Sequence, residues 1–200
     1  MFNLRNYNDV QVGGGEKTLP AGTYVARIVD AFVTKSKAGN DTLSVNVDIA
    51  EGEYTGYFRR QLNRLRAKFP TVRWTSAGTI YCKIYGDDNG LFWAVKKFLE
   101  TVKQDNPSKF ATGNNIDFDE TKLKGLIIGI TVGNREVEKT DKNGKHYTTA
   151  FIDDVVPLEQ VRNGSATIPE LQKYQANSTP NNSGTVMFDG QPVPEHETPF

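Results

Sequence analysis

The chain has 200 residues, enough for one domain of about 150 residues with extensions, and 24 basic residues balance 24 acidic ones to a formal charge of zero. A single cysteine, Cys82, excludes an internal disulfide and any multi-thiolate metal site, and the only two histidines, His146 and His196, lie far apart. No apolar run reaches membrane-spanning length and no charged start precedes an apolar stretch, so a soluble, intracellular protein with no membrane partner is expected.

Residues 1–19 are polar, with three successive glycines, and read as a leader or an extra edge segment. From Gly22 the pattern changes. "TYVARIVDAFVTK" is rich in the β-branched and aromatic residues that strands favour. "TLSVNVDIA" alternates, with Leu43, Val45, Val47 and Ile49 on one face and Thr42, Ser44, Asn46 and Asp48 on the other. The turn between them, "KSKAGND", carries Lys35 and Lys37. "TIYCKIYG" alternates too, setting Ile80, Cys82 and Ile84 against Tyr81, Lys83 and Tyr85. "GDDNG" then breaks the strand and offers Asp88 or Asn89 as a helix N-cap.

The following "LFWAVKKFLETVKQD" places Leu91, Phe92, Val95, Phe98, Leu99 and Val102 in one apolar stripe, the core face of an amphipathic helix. Trp93 falls on the opposite side beside Lys97, and a cover for it is expected from the leader, the tail or a second subunit. "NPSKFATGNNIDF" reads as a loop and "DETKLKG" as one helical turn. "LIIGITVGNREVE" is a strong strand, and "KTDKNGK" is a turn with the Asn-Gly pair of tight hairpins. "HYTTAFIDDVV" is the last strand, ended by Pro157.

Three strands, a helix and two strands is the order of an OB-fold, a small, partly open Greek-key barrel. It binds ligands on strands 2 and 3 and on the loops joining strands 1 to 2 and 4 to 5. The expected fold is therefore β-rich: a five-stranded OB barrel over residues 20–157 with one helix between strands 3 and 4. A flexible tail is expected over 158–200. Both ligand-face loops are basic, through Lys35 and Lys37 in one and Lys139, Lys142 and Lys145 in the other.

Catalytic constellations are missing. "GGGEKT" departs from a phosphate-binding loop because Glu16 intervenes and no strand precedes it. Asp153 and Asp154 are neighbours in a strand and point to opposite faces. No catalytic residue, metal or cofactor is expected.

The strongest signal runs from Tyr54 to Gly86. It holds seven basic residues, Arg59, Arg60, Arg64, Arg66, Lys68, Arg73 and Lys83, and no acid. Tyr54, Tyr57, Phe58, Phe69, Trp74, Tyr81 and Tyr85 are threaded through them, with Phe58 and Phe69 the expected core members. A guanidinium both forks onto phosphate and stacks on flat rings, and base–aromatic stacking tolerates any sequence. The combination suits single-stranded nucleic acid, gripped by Trp74, Tyr81, Lys83 and Tyr85 together with the arginines. A solvated helix or hairpin is the plainer alternative. Charge also separates along the chain. Residues 174–200 carry Asp189, Glu195 and Glu197 and no Lys or Arg, so that segment is −3 and the remainder +3.

Two features resemble the single-stranded DNA-binding proteins of bacteria and their phages. One is the layout from "AGTYVARIVDAFVTKSKAGNDTLSVNVDIAEGEYTGYF" to "LKGLIIGITVGNREVEKTDKNGKHYTTAFIDDVVP". The other is the ending "FDGQPVPEHETPF", similar to that family's flexible tail with an acidic tip closing on Pro-Phe. The family's consecutive aspartates are replaced here by Glu195 and Glu197 around His196. The resemblance implies a non-catalytic protein of the bacterial cytoplasm that coats single strands during replication, recombination and repair. It also implies recruitment of partner enzymes through Glu195, Glu197, Pro199 and Phe200. An OB-fold adaptor for an acidic protein, and a small nucleic-acid enzyme, are the other readings the sequence leaves open.

Overall fold

A computed structural model describes residues 17–36, 39–86, 90–109, 119–141 and 143–175. Lys37, Asp88, Asn89, Lys142 and the tail residues Glu195, Glu197, Pro199 and Phe200 lie outside the described residues. Five strands make one antiparallel sheet: β1 (Gly22–Lys35), β2 (Asp41–Ile49), β3 (Thr79–Lys83), β4 (Ile127–Thr140) and β5 (His146–Val156). Their order across the sheet is β3-β2-β1-β4-β5. The sheet is open, since no backbone pairing joins β3 to β5 among the described residues. β1 is the hinge of the arrangement. Its first half pairs with β4 from Gly22↔Val132 to Arg27↔Ile127, and from Ala26 onward it pairs with β2.

The inner face follows the sequence alternation. Leu43, Val45, Val47 and Ile49 of β2 are all buried, with Ile80 and Cys82 of β3 and Ile128, Ile130 and Val132 of β4. The other face of β2 departs from expectation, because Ser44, Asn46 and Asp48 are buried too. Each buried polar group then needs a partner. Asn46 Oδ1 accepts the Thr79 hydroxyl at 2.9 Å, and Ser44 Oγ lies 3.3 Å from Thr34 Oγ1.

Asp48 is satisfied by a helix the sequence reading lacks. Where one helix was anticipated, a second, α1 (Tyr57–Arg66), stands between β2 and β3. Its ten residues, YFRRQLNRLR, contain no Gly, Pro or β-branched residue, which suits a helix. Gly56 opens it in the left-handed region, φ 75°, a conformation costly for any residue with a Cβ. No side chain of its own start caps it. Asp48 Oδ1 does so from the sheet, accepting the Phe58 N–H at 3.0 Å, and it also accepts its neighbour Ile49 N–H at 3.0 Å. A carboxylate at the positive end of a helix is the favourable placement. Tyr57, Phe58 and Leu62 are buried, whereas Phe69, expected in the core, is 39% exposed.

The expected helix is α2 (Trp93–Asp105), between β3 and β4, with Val95, Phe98 and Val102 buried. It starts two residues late. Leu91 pairs instead with Tyr85 in a small hairpin and is 56% exposed, so it does not belong to the core stripe. The helical turn read in "DETKLKG" is a 3-10 turn, Glu120–Leu123, capped by Asp119.

Both sequence boundaries move outward. Leu19, placed in the leader, is fully buried, and Asn134 latches its segment by accepting the Ala21 N–H at 3.0 Å and donating to the Leu19 carbonyl at 2.9 Å. Residues 158–175, placed in the tail, pack on the sheet. Helix α3 (Leu158–Arg162) lies so close over β4 that a Cβ on Gly129 would stand 2.5 Å from the Val156 carbonyl oxygen and 2.7 Å from Val161 Cγ2. Further on, Gln172 pairs with β4 (Glu136 N–H to Gln172 O 2.8 Å, Gln172 N–H to Asn134 O 3.0 Å), and the Tyr174 ring lies 4.8 Å from that of His146.

Candidate nucleic-acid interface

The outer face of β1, β2 and β3 carries the candidate site, and a bulge in β1 shapes it. Pairing runs Ile28↔Val47 and then Asp30↔Asn46, leaving Val29 as one extra residue. A bulge shifts the side-chain alternation by one. Before it Ala26 and Ile28 point inward; after it Ala31, 5% exposed, does, and Phe32 is turned outward at 38% exposure. Phe32 pairs with Ser44, and Ser44 with Tyr81, so these three side chains form one row across three strands. Residues paired in register share a face, and strands lie about 4.8 Å apart. The two rings therefore flank the small Ser44 at roughly 10 Å separation, counted as two strand spacings.

The next rows repeat the pattern. Towards the hairpin end lie Thr34, Thr42 and Lys83, and on the other side Asp30, Asn46 and Thr79. Beyond these, Arg27 pairs with Asp48. Arg59 of α1 reaches the same carboxylate, its Nε 3.8 Å from Asp48 Oδ2. One guanidinium, that of Arg59, thus stands beside the buried acid at the foot of the face, and Arg27 occupies the neighbouring register position on β1. Burial pushes the Asp48 carboxyl above the usual carboxylate range, against the pull of the Phe58, Arg59 and Ile49 amides and the Arg59 charge. Burial likewise raises the Tyr81 phenol, which stays protonated and can donate.

Along β3 the face continues into the hairpin closed by Gly86 N–H to Gly90 O, 2.8 Å, and Phe92 N–H to Ile84 O, 2.9 Å. Here Tyr85 is 50% exposed, Leu91 56% and Trp93 62%. Phe32 and Tyr81 thus share the outer side of the three-stranded half, Tyr85 follows Tyr81 in the alternation of the chain leaving β3, and Trp93 is exposed at the start of α2. The exposed Trp93 agrees with its expected position opposite the apolar stripe.

The expected basic residues divide into groups. Arg59, Arg60, Arg64, Arg66 and Lys68 are exposed on α1 and the turn after it, and Arg73 on the loop leading to β3. Arg60 donates to the Thr55 carbonyl, and Arg66 Nε to the Val72 carbonyl at 3.1 Å. Lys35 is bound to Asp41 across its turn at 2.8 Å. Lys139 and Lys145 are exposed at the far end of the β4–β5 ribbon, whose turn is held by Asp141 accepting the Asn143 and Lys145 N–H groups. Lys83 is not an open cation: it is 9% exposed, with Nζ 5.7 Å from the centre of the Phe92 ring. Trp74 packs against the core and donates its indole N–H to the Gly78 carbonyl at 3.0 Å. Its face is less available than that of Tyr81 or Tyr85.

Sequence reasoning missed Phe32 and Arg27 as residues of this face. Phe32 and Arg27 sit in an apolar strand whose bulge no local pattern marks, while the exposure of Trp93 was readable from helical periodicity. No helix among the described residues is long and apolar enough to cross a membrane, and no group of three metal-ligating side chains occurs among them. No known protein family matches the chain, and no curated protein matches it in sequence.

Proposed function

We propose that this protein binds single-stranded DNA without catalysis, along the outer face of β1, β2 and β3. The row Phe32–Ser44–Tyr81 carries the reading. It offers two aromatic rings to bases, with a small polar floor between them, and arginines stand at the foot of the same face. The strand order supports an OB-type architecture: β1 is shared by two ribbons, and β5 packs near the 3-10 turn Ser76–Gly78 that leads into β3. Closure of the barrel belongs to this proposal. So does a role in coating single strands during replication, recombination and repair in a bacterial cytoplasm. Partner enzymes would be recruited by the acidic segment that carries Glu195, Glu197, Pro199 and Phe200.

Titration of oligo-dT against the protein at several salt concentrations tests it. Stacking is worth about 1–3 kcal/mol per base, so Phe32→Ala and Tyr81→Ala should each weaken binding roughly 5- to 150-fold at every salt concentration. Replacing Arg66 and Arg73 by alanine should instead flatten the salt dependence by about 0.7 in log–log slope per lost contact. Unchanged affinity in both aromatic variants, with the fold intact by circular dichroism, would remove the sheet face from the site. No response to oligo-dT at all would favour a protein-binding adaptor. Deleting Pro199 and Phe200 should abolish capture of partner enzymes while leaving oligo-dT binding unchanged.

A further inference from the structure

The polar groups of the outer face are unevenly exposed. In the row beside the aromatic one, Asn46 and Thr79 are each 8% exposed and hydrogen-bonded to one another. Asp30, their partner on β1, is open to solvent and is the outward polar group of that row. The bulge puts it there. Val29 is the extra residue, and Asp30, Phe32 and Thr34 then follow one another on the same face. None of the ion pairs or side-chain hydrogen bonds among the described residues uses the Asp30 carboxylate.

A bare carboxylate repels a phosphate backbone, so it has no part in the contacts that arginines make. It suits a base edge instead. An ionised carboxylate is acceptor-only and takes two N–H donors side by side, one on each oxygen. Among the bases of DNA, guanine sets two such donors together on its Watson–Crick edge, N1–H and the 2-amino group. Adenine and cytosine set one amino group beside a bare ring nitrogen, and thymine sets one N–H between two carbonyl oxygens. A single strand leaves these edges unpaired. Asp30 and Phe32 are two residues apart on one face, about 6.6 Å along the strand. A base stacked on the Phe32 ring spans that step and brings its edge to the carboxylate.

We propose that Asp30 gives this face a preference for guanine: a guanine stacked on Phe32 donates N1–H and its 2-amino group to the two oxygens of Asp30. The inference rests on the reading of the face as a single-strand site. It adds selectivity to stacking that by itself accepts any base. Guanine comes first in the order of preference and adenine and cytosine next. Thymine comes last, because its two carbonyl oxygens meet the carboxylate lone pair to lone pair.

Thymine oligomers carrying guanine or hypoxanthine at the same spaced positions test it, titrated beside oligo-dT against the full chain. Hypoxanthine keeps the ring and N1–H of guanine and lacks only the 2-amino group. Wild type should bind the guanine oligomer at least about fivefold more tightly than oligo-dT, the lower end for a bidentate base contact. The hypoxanthine oligomer should lose most of that gain. Asp30→Ala should bind all three alike, and oligo-dT no more weakly than wild type does, since a charge opposing phosphate is gone. Equal wild-type affinities for the guanine and hypoxanthine oligomers overturn the proposal, and so does a guanine preference that survives in Asp30→Ala. Circular dichroism checks the variant's fold; should it fail, the wild-type comparison decides. If oligo-dT binds and needs Phe32 while guanine gains nothing, Asp30 is a plain surface charge and the single-strand reading stands. If no oligomer binds, that reading fails and this inference falls with it.

Discussion

Asp48 gives the sharpest test of how the sheet holds α1. It is 6% exposed, yet it carries the acceptor for the Phe58 N–H and stands near Arg59. Replacing it by alanine leaves the Phe58 donor unpaired against a fully buried ring and removes the cap of a helix that has no other. Cap loss costs about 0.5–2 kcal/mol and a buried orphan donor about 1–3 kcal/mol. Since the two descriptions overlap, about 2 kcal/mol is expected, or a fall in Tm of roughly 4–8 °C for a domain of this size. Asparagine keeps the acceptor and removes the desolvated charge, so Asp48→Asn should be at least as stable as wild type near neutral pH. The sign of the pH dependence follows from the raised carboxyl. In the fold Asp48 holds its proton more tightly than in the unfolded chain, so its contribution is greatest below the ordinary carboxylate range. That contribution is lost as pH rises through the folded value. Asp105 and Asp153 are raised by burial as well and act in the same direction. The difference between variant and wild type isolates Asp48. Urea unfolding from pH 4 to 7 should show the stability of Asp48→Asn relative to wild type growing with pH. A difference that shrinks with pH, or an alanine variant as stable as wild type, would refute the capping role.

Gly129→Ala should cost about 1–3 kcal/mol in urea unfolding, because the clash is with the Val156 backbone and with Val161 of α3, neither of which can yield freely. If α3 and the following segment were a detachable tail, the Val161 part of the clash would be relieved and only the contact with the Val156 carbonyl of β5 would remain, so the cost would fall to the low end of that range. Of the two tryptophans, the protein retaining only Trp93 should emit to the red of the one retaining only Trp74. Trp93 is 62% exposed, whereas the indole N–H of Trp74 is bonded inside the fold. A blue-shifted Trp93 would show that another segment or subunit covers it.

The strands were legible because β2, β3 and β4 each bury the alternate residues that their sequence alternation marks, and α2 because its stripe repeats over three turns. α1 was not. Its stripe is carried by few apolar residues among four arginines, and its cap is not in its own sequence but nine residues back, across the turn from β2. The polar face of β2 was misread for a related reason. Alternation says which residues differ, not whether the second face is covered, and here Thr79 and the start of α1 cover it. Likewise, Leu19 looked peripheral because its partners, Tyr57 and Asn134, are 38 and 115 residues away.

The site was legible as composition and not as geometry. From Tyr54 to Gly86 the chain has no acid, yet in space the stretch has one, since Asp48 enters the first turn of α1 and stands 3.8 Å from Arg59. Charge counted along the chain therefore overstates what Arg59 can offer a phosphate. A cation already facing a carboxylate exchanges one partner for another and releases less than a full counterion. Arg59→Ala should accordingly flatten the salt dependence of oligo-dT binding by clearly less than the roughly 0.7 expected for a full contact on a single strand. Asp48→Asn should steepen it, because the neutral amide frees Arg59 without unfolding the helix that carries it. Measured slopes for wild type and the two variants decide the point. If Arg59→Ala costs a whole contact and Asp48→Asn changes nothing, the ion pair does not govern the arginine, and the foot of the face acts as the linear sequence suggested.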